Sequence, residues 1–479
     1  MSTARFARAT RVLFVFACAA LAPFAAHAAD GSTDTAFNAA GGQPGWRRLY
    51  VNGGGTLDER IIAAARAPDG GYVFAGKRTG GGAGALIFLA KLRPNGDYDT
   101  SFGGTAATGN AGTGRVLKDA YLSSVADMTI DAQGRIIVVG STPGALGQSD
   151  FGVVRFKPDG SDDTSFAGDG GTGVAFDFDA ANGRVNDVPG SVTTAPDGSV
   201  FVAGVIQDFI SGHSTTLVGA VKLKPDGTPD EDFGTVAGGL AYFCGVVCEN
   251  VLHVARIVYD APRDRIVIGG DFQVGVNNTD WFIVTRTTGG TIQSYPYAVD
   301  LGGTSGYQLA YMTDFAVQAD GKPVALGWFF DANLKTVPVL LRRLAESVVE
   351  DKNTFGNVSG RGLMVLPWTD SIANGLAIDS RGRILLAGEY APFKAGIAGR
   401  LLTSGAIDTS FNGTSSPSAY FAQTTSGSTS YNTAFKRVFL DAGRPVLAGE
   451  APDSASAATD YDMLAMRLQS DLIFANDLE

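Results

Sequence analysis

The chain has 479 residues, 45% of them hydrophobic and 18% charged, so it is long enough and apolar enough to bury a large core. Its net charge of −11 shows no Lys/Arg cluster interleaved with aromatics, which argues against nucleic acid and anionic lipid as partners. The 64 glycines are nearly twice the usual share of about 7% and, without a collagen period, signal many tight turns between many short strands.

In chain order, residues 1–28 read as a secretory signal peptide. Arg5, Arg8 and Arg11 form a basic start, Val12 to Ala26 are almost all apolar, and Ala26-His27-Ala28 is a small-x-small end. The apolar run is short for a membrane anchor, Pro23 breaks it, and Cys18 sits in a poor setting for a lipoprotein signal. We expect export to the cell exterior or surface, with the periplasm as the alternative. Loss of the three arginines takes the net charge from −11 to about −14.

From residue 29 the chain repeats. Val125–Asp131 alternates as a strand, a turn follows, Arg135–Gly140 reads as a strand apolar on both faces, and Asp150–Lys157 and Gly173–Phe178 read as a third and a fourth. The strand–turn–strand core ending in Gly recurs as APDGGYVFAG (67–76), DAQGRIIVVG (131–140), APDGSVFVAG (195–204), APRDRIVIGG (261–270), QADGKPVALG (318–327), DSRGRILLAG (379–388) and LDAGRPVLAG (440–449). Seven modules of four antiparallel strands predict an all-β, seven-bladed β-propeller spanning 29–470, with a short tail at 471–479. The first module starts with its fourth strand, at 45–51, and the last stops after its third, near 468. The N-terminal strand is therefore expected to complete the last blade and close the ring.

Between third and fourth strands one phrase recurs: DGSTDTAF (30–37), NGDYDTSF (95–102), DGSDDTSF (159–166), DGTPDEDF (226–233) and SGAIDTSF (404–411). We read it as an architectural seam, with Asp163 bonding within a tight loop and Phe166 filling the gap between blades. The alternative is a ring of calcium-binding aspartates. Modules four (TGGTIQSY) and five (AESVVEDKNTF) read as having lost the phrase. Together the unit D-x-x-G-R-I-x-V-x-G and the phrase D-G-x-x-D-T-S-F resemble the delta-60 repeat of bacterial secreted proteins, a β-propeller repeat family. That resemblance implies the fold and carries over no catalytic residue. The ending DLIFANDLE (471–479) is similar to short tails on some secreted proteins and equally fits a frayed terminus.

Motifs for chemistry are sparse. The sequence holds no G-x-S-x-G, no H-E-x-x-H and no S-x-D-x-G-x-T-W, and His213 and His253 are isolated. It points to no catalytic residue, cofactor or metal. Cys244 and Cys248, in CGVVC, are a disulfide candidate if the chain turns between them. Asp177-Phe-Asp-Ala-Ala-Asn-Gly183 reads as a polar turn. Asp127, Asn186 and Asp314 are placed on axial strands. Segments 207–216, 271–280, 328–337 and 449–460 read as variable loops on one face, with Trp328, Phe329 and Phe330 as an aromatic cluster for binding there or for the blade core. The expectation is a monomeric, non-catalytic module binding a protein or glycan at the cell surface. The alternative is a hydrolase or lactonase with a metal or acidic site in the central channel.

Overall fold

The structure is a computed structural model. It describes residues 30–470 apart from 42, 50–57, 80–85, 104–111, 119–120, 145–146, 168–172, 179–185, 211–212, 235–239, 244–249, 276–277, 300–308, 346, 348, 392–394, 412–418, 422–432 and 453–460. Seven four-stranded antiparallel sheets form the blades of a β-propeller. Blade one is Asp58–Arg66, Tyr72–Thr79, Leu86–Leu92 and Arg115–Lys118, and blade two is Asp127–Ile130, Ile136–Pro143, Ser149–Phe156 and Gly173–Phe176. Blade three is Val188–Thr194, Val200–Ile210, His213–Leu223 and Leu240–Phe243, and blade four is Val251–Asp260, Arg265–Gly275, Asn278–Thr287 and Ile292–Val299. Blade five is Ala310–Val317, Pro323–Phe330, Thr336–Arg342 and Leu363–Val365, and blade six is Ser371–Ile378, Ile384–Tyr390, Ala395–Leu401 and Ala419–Phe421. Blade seven takes Ala434–Asp441, Arg444–Pro452 and Tyr461–Arg467 from the end of the chain, and Trp46–Leu49 from its start. Trp46 pairs Met466 and Leu49 pairs Met463, the closure expected from the sequence. Among the described residues there is no α-helix, and no helix long and apolar enough to cross a membrane.

Two sequence signals acquire a physical reason. The first is the glycine ending each second strand. The innermost strand skips one residue in its pairing with the second strand between Ile61 and Ala63, Pro189 and Ser191, Val254 and Arg256, Met312 and Asp314, Ala373 and Gly375, and Phe435 and Arg437. The bulge pushes an inner-strand carbonyl against the facing residue. A Cβ on Gly76, Gly140, Gly204, Gly270, Gly327, Gly388 or Gly449 would lie between 1.8 and 2.3 Å from that oxygen, so only glycine fits.

The second signal is the repeated phrase. Arg155, on the third strand of blade two, donates from Nε to Asp163 Oδ2 at 2.7 Å and from its terminal nitrogen to the Pro225 carbonyl of blade three. Asp163 Oδ1 also accepts from the Ser165 amide and hydroxyl. The guanidinium lies 4.4 Å from the ring of fully buried Phe166. That ring rests on Gly227 of the next blade's turn, where a Cβ would come within 2.6 Å of it. Gly227 has φ +86°, so the turn needs glycine on both counts. The Ala167 amide then donates to the Asp226 carbonyl at 2.8 Å. Arg400 with Asp408 and Phe411, and Arg467 with Asp34 and Phe37, repeat the arrangement. Lys91–Asp99 and Lys222–Asp230 are lysine versions. The phrase is a stitch between blades. Module five, which reads as having lost it, keeps it with one extra residue on each side of Asp351: Arg342 pairs Asp351 at 3.0 Å and lies over Phe355. Module four keeps the cation, Arg286, which donates to the Gly290 carbonyl.

Candidate functional site: a charged cleft on the hairpin face

Antiparallel strands send alternate connections to opposite ends of the ring. One end carries the stitches. The other carries the hairpins between second and third strands and the connections into each inner strand, so residues free of the repeat gather there.

The residue after each bulge forms a ring on the innermost strands: Ala63, Asp127, Ser191, Arg256, Asp314, Gly375 and Arg437. The expected acidic scatter is replaced by a balanced set. Asp127 Oδ2 accepts from the Ser191 hydroxyl at 2.6 Å and the Val192 amide at 3.2 Å. Asp314 Oδ2 accepts from the Leu376 amide at 2.8 Å, and its Oδ1 lies 3.4 Å from Arg256 Nε, which raises the arginine's pKa. These aspartates latch one blade to the next. Asn186 is not on the inner strand; it precedes it and accepts from the Ser149 amide.

A cleft of about 490 Å³ opens on the hairpin face across blades six, seven and one. Arg60 comes from the inner strand of blade one, Lys436 from the bulge of blade seven, and Glu389 and Glu450 from the ends of the second strands of blades six and seven. Lys436 Nζ lies 3.1 Å from Glu389 Oε1 and 4.0 Å from Glu450 Oε1. Arg60 donates to Glu450 Oε1 at 3.0 Å and stacks 3.7 Å over the Tyr461 ring. Burial pushes the Glu450 carboxyl above the ordinary glutamate range, against the pull of Lys436 and Arg60. Thr433, also lining the cleft, is buried and its hydroxyl has no hydrogen-bond partner among the described residues. The four charges cancel. The walls thus offer both donors and acceptors to a small ligand without selecting for net charge, and the volume is in the range of small-ligand sites.

Among the described residues, the segments read as variable loops in blades three and four are strand, with pairing in blade three continuing to Ile210 opposite His213, whereas 453–460 lies outside the described residues. Trp328, Phe329 and Phe330 lie on the second strand of blade five. Phe329 is buried in the blade core, whereas half-buried Trp328 and Phe330 point to the other side, with Tyr311 4.8 Å from Trp328. His253 lies 3.6 Å from Asp271. Cys244 and Cys248, the signal segment and the tail lie outside the described residues.

The cleft residues escaped sequence reading because they stand far apart and match no motif. One signal does exist. Glu389 and Glu450 each follow the glycine of the second strand, where other modules carry Lys77, Ser141, Val205, Asp271 and Trp328. The position beside the most constant residue of the repeat is among its most varied, and it faces the hairpin end.

Residues 133–166 match a family described as a domain of unknown function (DUF5122) β-propeller. The chain is a β-propeller. No curated protein sequence matches it. Among solved structures it is similar to a polysaccharide lyase (11% identity, 88% of this chain and 94% of that one, TM-score 0.46). It is also similar to a protein of unknown function from Dyadobacter fermentans (12%, 89% and 100%, 0.42) and to an α-L-arabinofuranosidase from Fusarium graminearum (10%, 72% and 93%, 0.39). Identities this low leave this propeller's activity to be argued from its own residues.

Proposed function

We propose that this chain is an exported, monomeric β-propeller that binds a neutral, hydroxyl-rich ligand, a glycan of the cell surface or its surroundings, in the cleft of blades six, seven and one. The observation that carries the reading is the cleft's make-up: two carboxylates and two cations that cancel, an unpartnered buried Thr433 hydroxyl, and the Tyr390 and Tyr461 rings at its walls. Sugar hydroxyls both donate and accept, so a wall offering both roles suits them, and tyrosine supplies an apolar body with a polar tip.

A hydrolytic reading is favoured by one feature. Glu450 is buried with a raised pKa, while Glu389 is a third exposed, and both reach Lys436. Carboxylates in unlike environments can divide the roles of acid and base.

Calorimetric titration with a panel of neutral oligosaccharides tests the first reading. Saturable binding should weaken about ten- to a hundredfold in Glu450→Gln and in Tyr461→Ala, the scale of a lost charge-assisted hydrogen bond. Binding unaffected by either change would overturn it. Release of reducing ends from the same sugars, abolished in Glu450→Gln, would promote the hydrolytic reading.

A further inference from the structure

The turn at Asp177 acquires partners that its sequence does not reveal. Asp150 begins the third strand of blade two, Asp177 follows the outer strand of that blade, and Asp187 precedes the inner strand of blade three. One carboxylate oxygen from each lies within 4.8 Å of those of the other two. Asp187 is fully buried; it accepts from the Phe178 amide at 3.0 Å and the Gln207 amide at 3.3 Å, and its own amide donates to the Ser149 carbonyl at 2.6 Å.

The telling group is Asp150. It is 6% exposed, and its Oδ1 is buried without a hydrogen-bond partner among the described residues. Neither Asp150 nor Asp187 is paired with a cationic side chain among the described residues. This differs from the stitches, where every buried aspartate meets an arginine or lysine. Two buried carboxylates, Asp150 and Asp187, held together out of water are unfavourable unless something positive joins them. Burial first, then the neighbouring Asp177, pushes the Asp150 carboxyl up; burial, aided by Asp177 and Asp150, pushes Asp187 to about 7. A buried carboxylate with an orphaned oxygen, grouped with two more carboxylates, marks a place for a ligand.

We propose that Asp150, Asp177 and Asp187 hold a hard divalent cation, calcium in first place, clamping blade two to blade three on the hairpin face. All three donors are oxygens and they include neither His nor Cys, which fits calcium and disfavours zinc or copper. Such an ion fastens the connection between two blades at the end opposite the stitches. The site is separate from the cleft of blades six, seven and one, so either can fail without the other.

The test uses calcium chloride alone against the folded protein freed of metal with EGTA. We expect one saturable site per chain and a melting temperature that rises with calcium, because an ion that binds only the folded state stabilises it. Asp150→Asn and Asp177→Asn, each checked for folding by circular dichroism, should lower the affinity by at least about tenfold, since affinity follows the charge count of the ligands. Asp320→Asn, at an exposed turn on the stitched face, should leave it unchanged. Absence of saturable binding to the wild-type protein, or binding retained in both Asn variants, overturns the proposal.

Discussion

Arg467 Nε lies 2.7 Å from Asp34 Oδ2, joining residues 433 apart in sequence. In blades two and six the same pair links a third strand to the loop that follows it; here it links the two ends of the chain. Arg467 also donates to the Tyr72 hydroxyl at 2.9 Å and to the Pro94 carbonyl of blade one. Tyr72 donates in turn to Asp441 at 2.7 Å, and burial first, then that bond, pushes its pKa up to about 12. Arg467→Ala therefore leaves buried Asp34 with only the more distant Arg444, at 3.6 Å, as a cationic partner and loosens the closing blade. We expect a loss of about 3–5 kcal/mol in urea unfolding. The double variant Asp34→Ala/Arg467→Met should recover part of that loss, because the buried carboxylate that lost its closest cation is then gone as well.

The glycine that faces the bulge makes a sharper demand than the turn glycines of open loops. A Cβ on Gly140 would lie 1.8 Å from the Ser124 carbonyl oxygen, whereas one on Gly147, at φ +87°, would meet nothing within 4 Å among the described residues. Gly140→Ala should cost about 3 kcal/mol or more, as overpacking against backbone does. Gly147→Ala should cost about 1 kcal/mol, from its backbone conformation alone. Urea midpoints at unchanged slope measure both.

These contrasts explain what was legible in the sequence. Blade number, strand order and ring closure could be read because each rests on a feature copied seven times: the alternating strand, the tight turn, the glycine against the bulge. The Asp163–Arg155 stitch was half legible: Asp163 and Phe166 stood in a repeated phrase, but their cation belongs to the preceding strand. In module five the two extra residues, one on each side of Asp351, hid the phrase altogether. The cleft and the Asp150–Asp177–Asp187 cluster were not legible, because each is assembled from positions where the copies differ, and only the closed ring brings Arg60 beside Glu450.

The stitches also set the response to acid. Burial works against the charged form of Asp163, but the Ser165 and Arg155 bonds outweigh it and hold the carboxyl below the ordinary aspartate range. Asp408, Asp351 and Asp99 are lowered in the same balance, burial opposed by hydroxyl and cationic partners; for Asp230 the Lys222 bond is itself the largest cause. A carboxyl with a lower pKa folded than unfolded stabilises the fold fully above the unfolded value of about 3.9, and that contribution is lost as pH falls through the folded value. The stitches' contribution to the melting temperature should hold nearly level down to about pH 5 and fall steeply below about pH 4. Asp163→Asn should flatten that fall. An unchanged acid limb in this variant would show that the stitches do not govern acid unfolding.

The aromatic strand of blade five divides between core and surface. Phe329 is 3% exposed and packs with Trp281, Met312 and Val339, whereas Trp328 and Phe330 stand edge to face 5.2 Å apart on the other side. Phe329→Ala empties a core position and should cost about 3–5 kcal/mol. Trp328→Ala and Phe330→Ala remove half-buried rings that mainly touch each other and Tyr311, so each should cost about 1–2 kcal/mol. A binding role for the outer pair would appear as a change in tryptophan fluorescence on adding ligand, lost in Trp328→Phe while the other three tryptophans remain. Fluorescence and binding that survive in Trp328→Phe and Phe330→Ala would restrict these rings to packing and leave recognition to the cleft of blades six, seven and one.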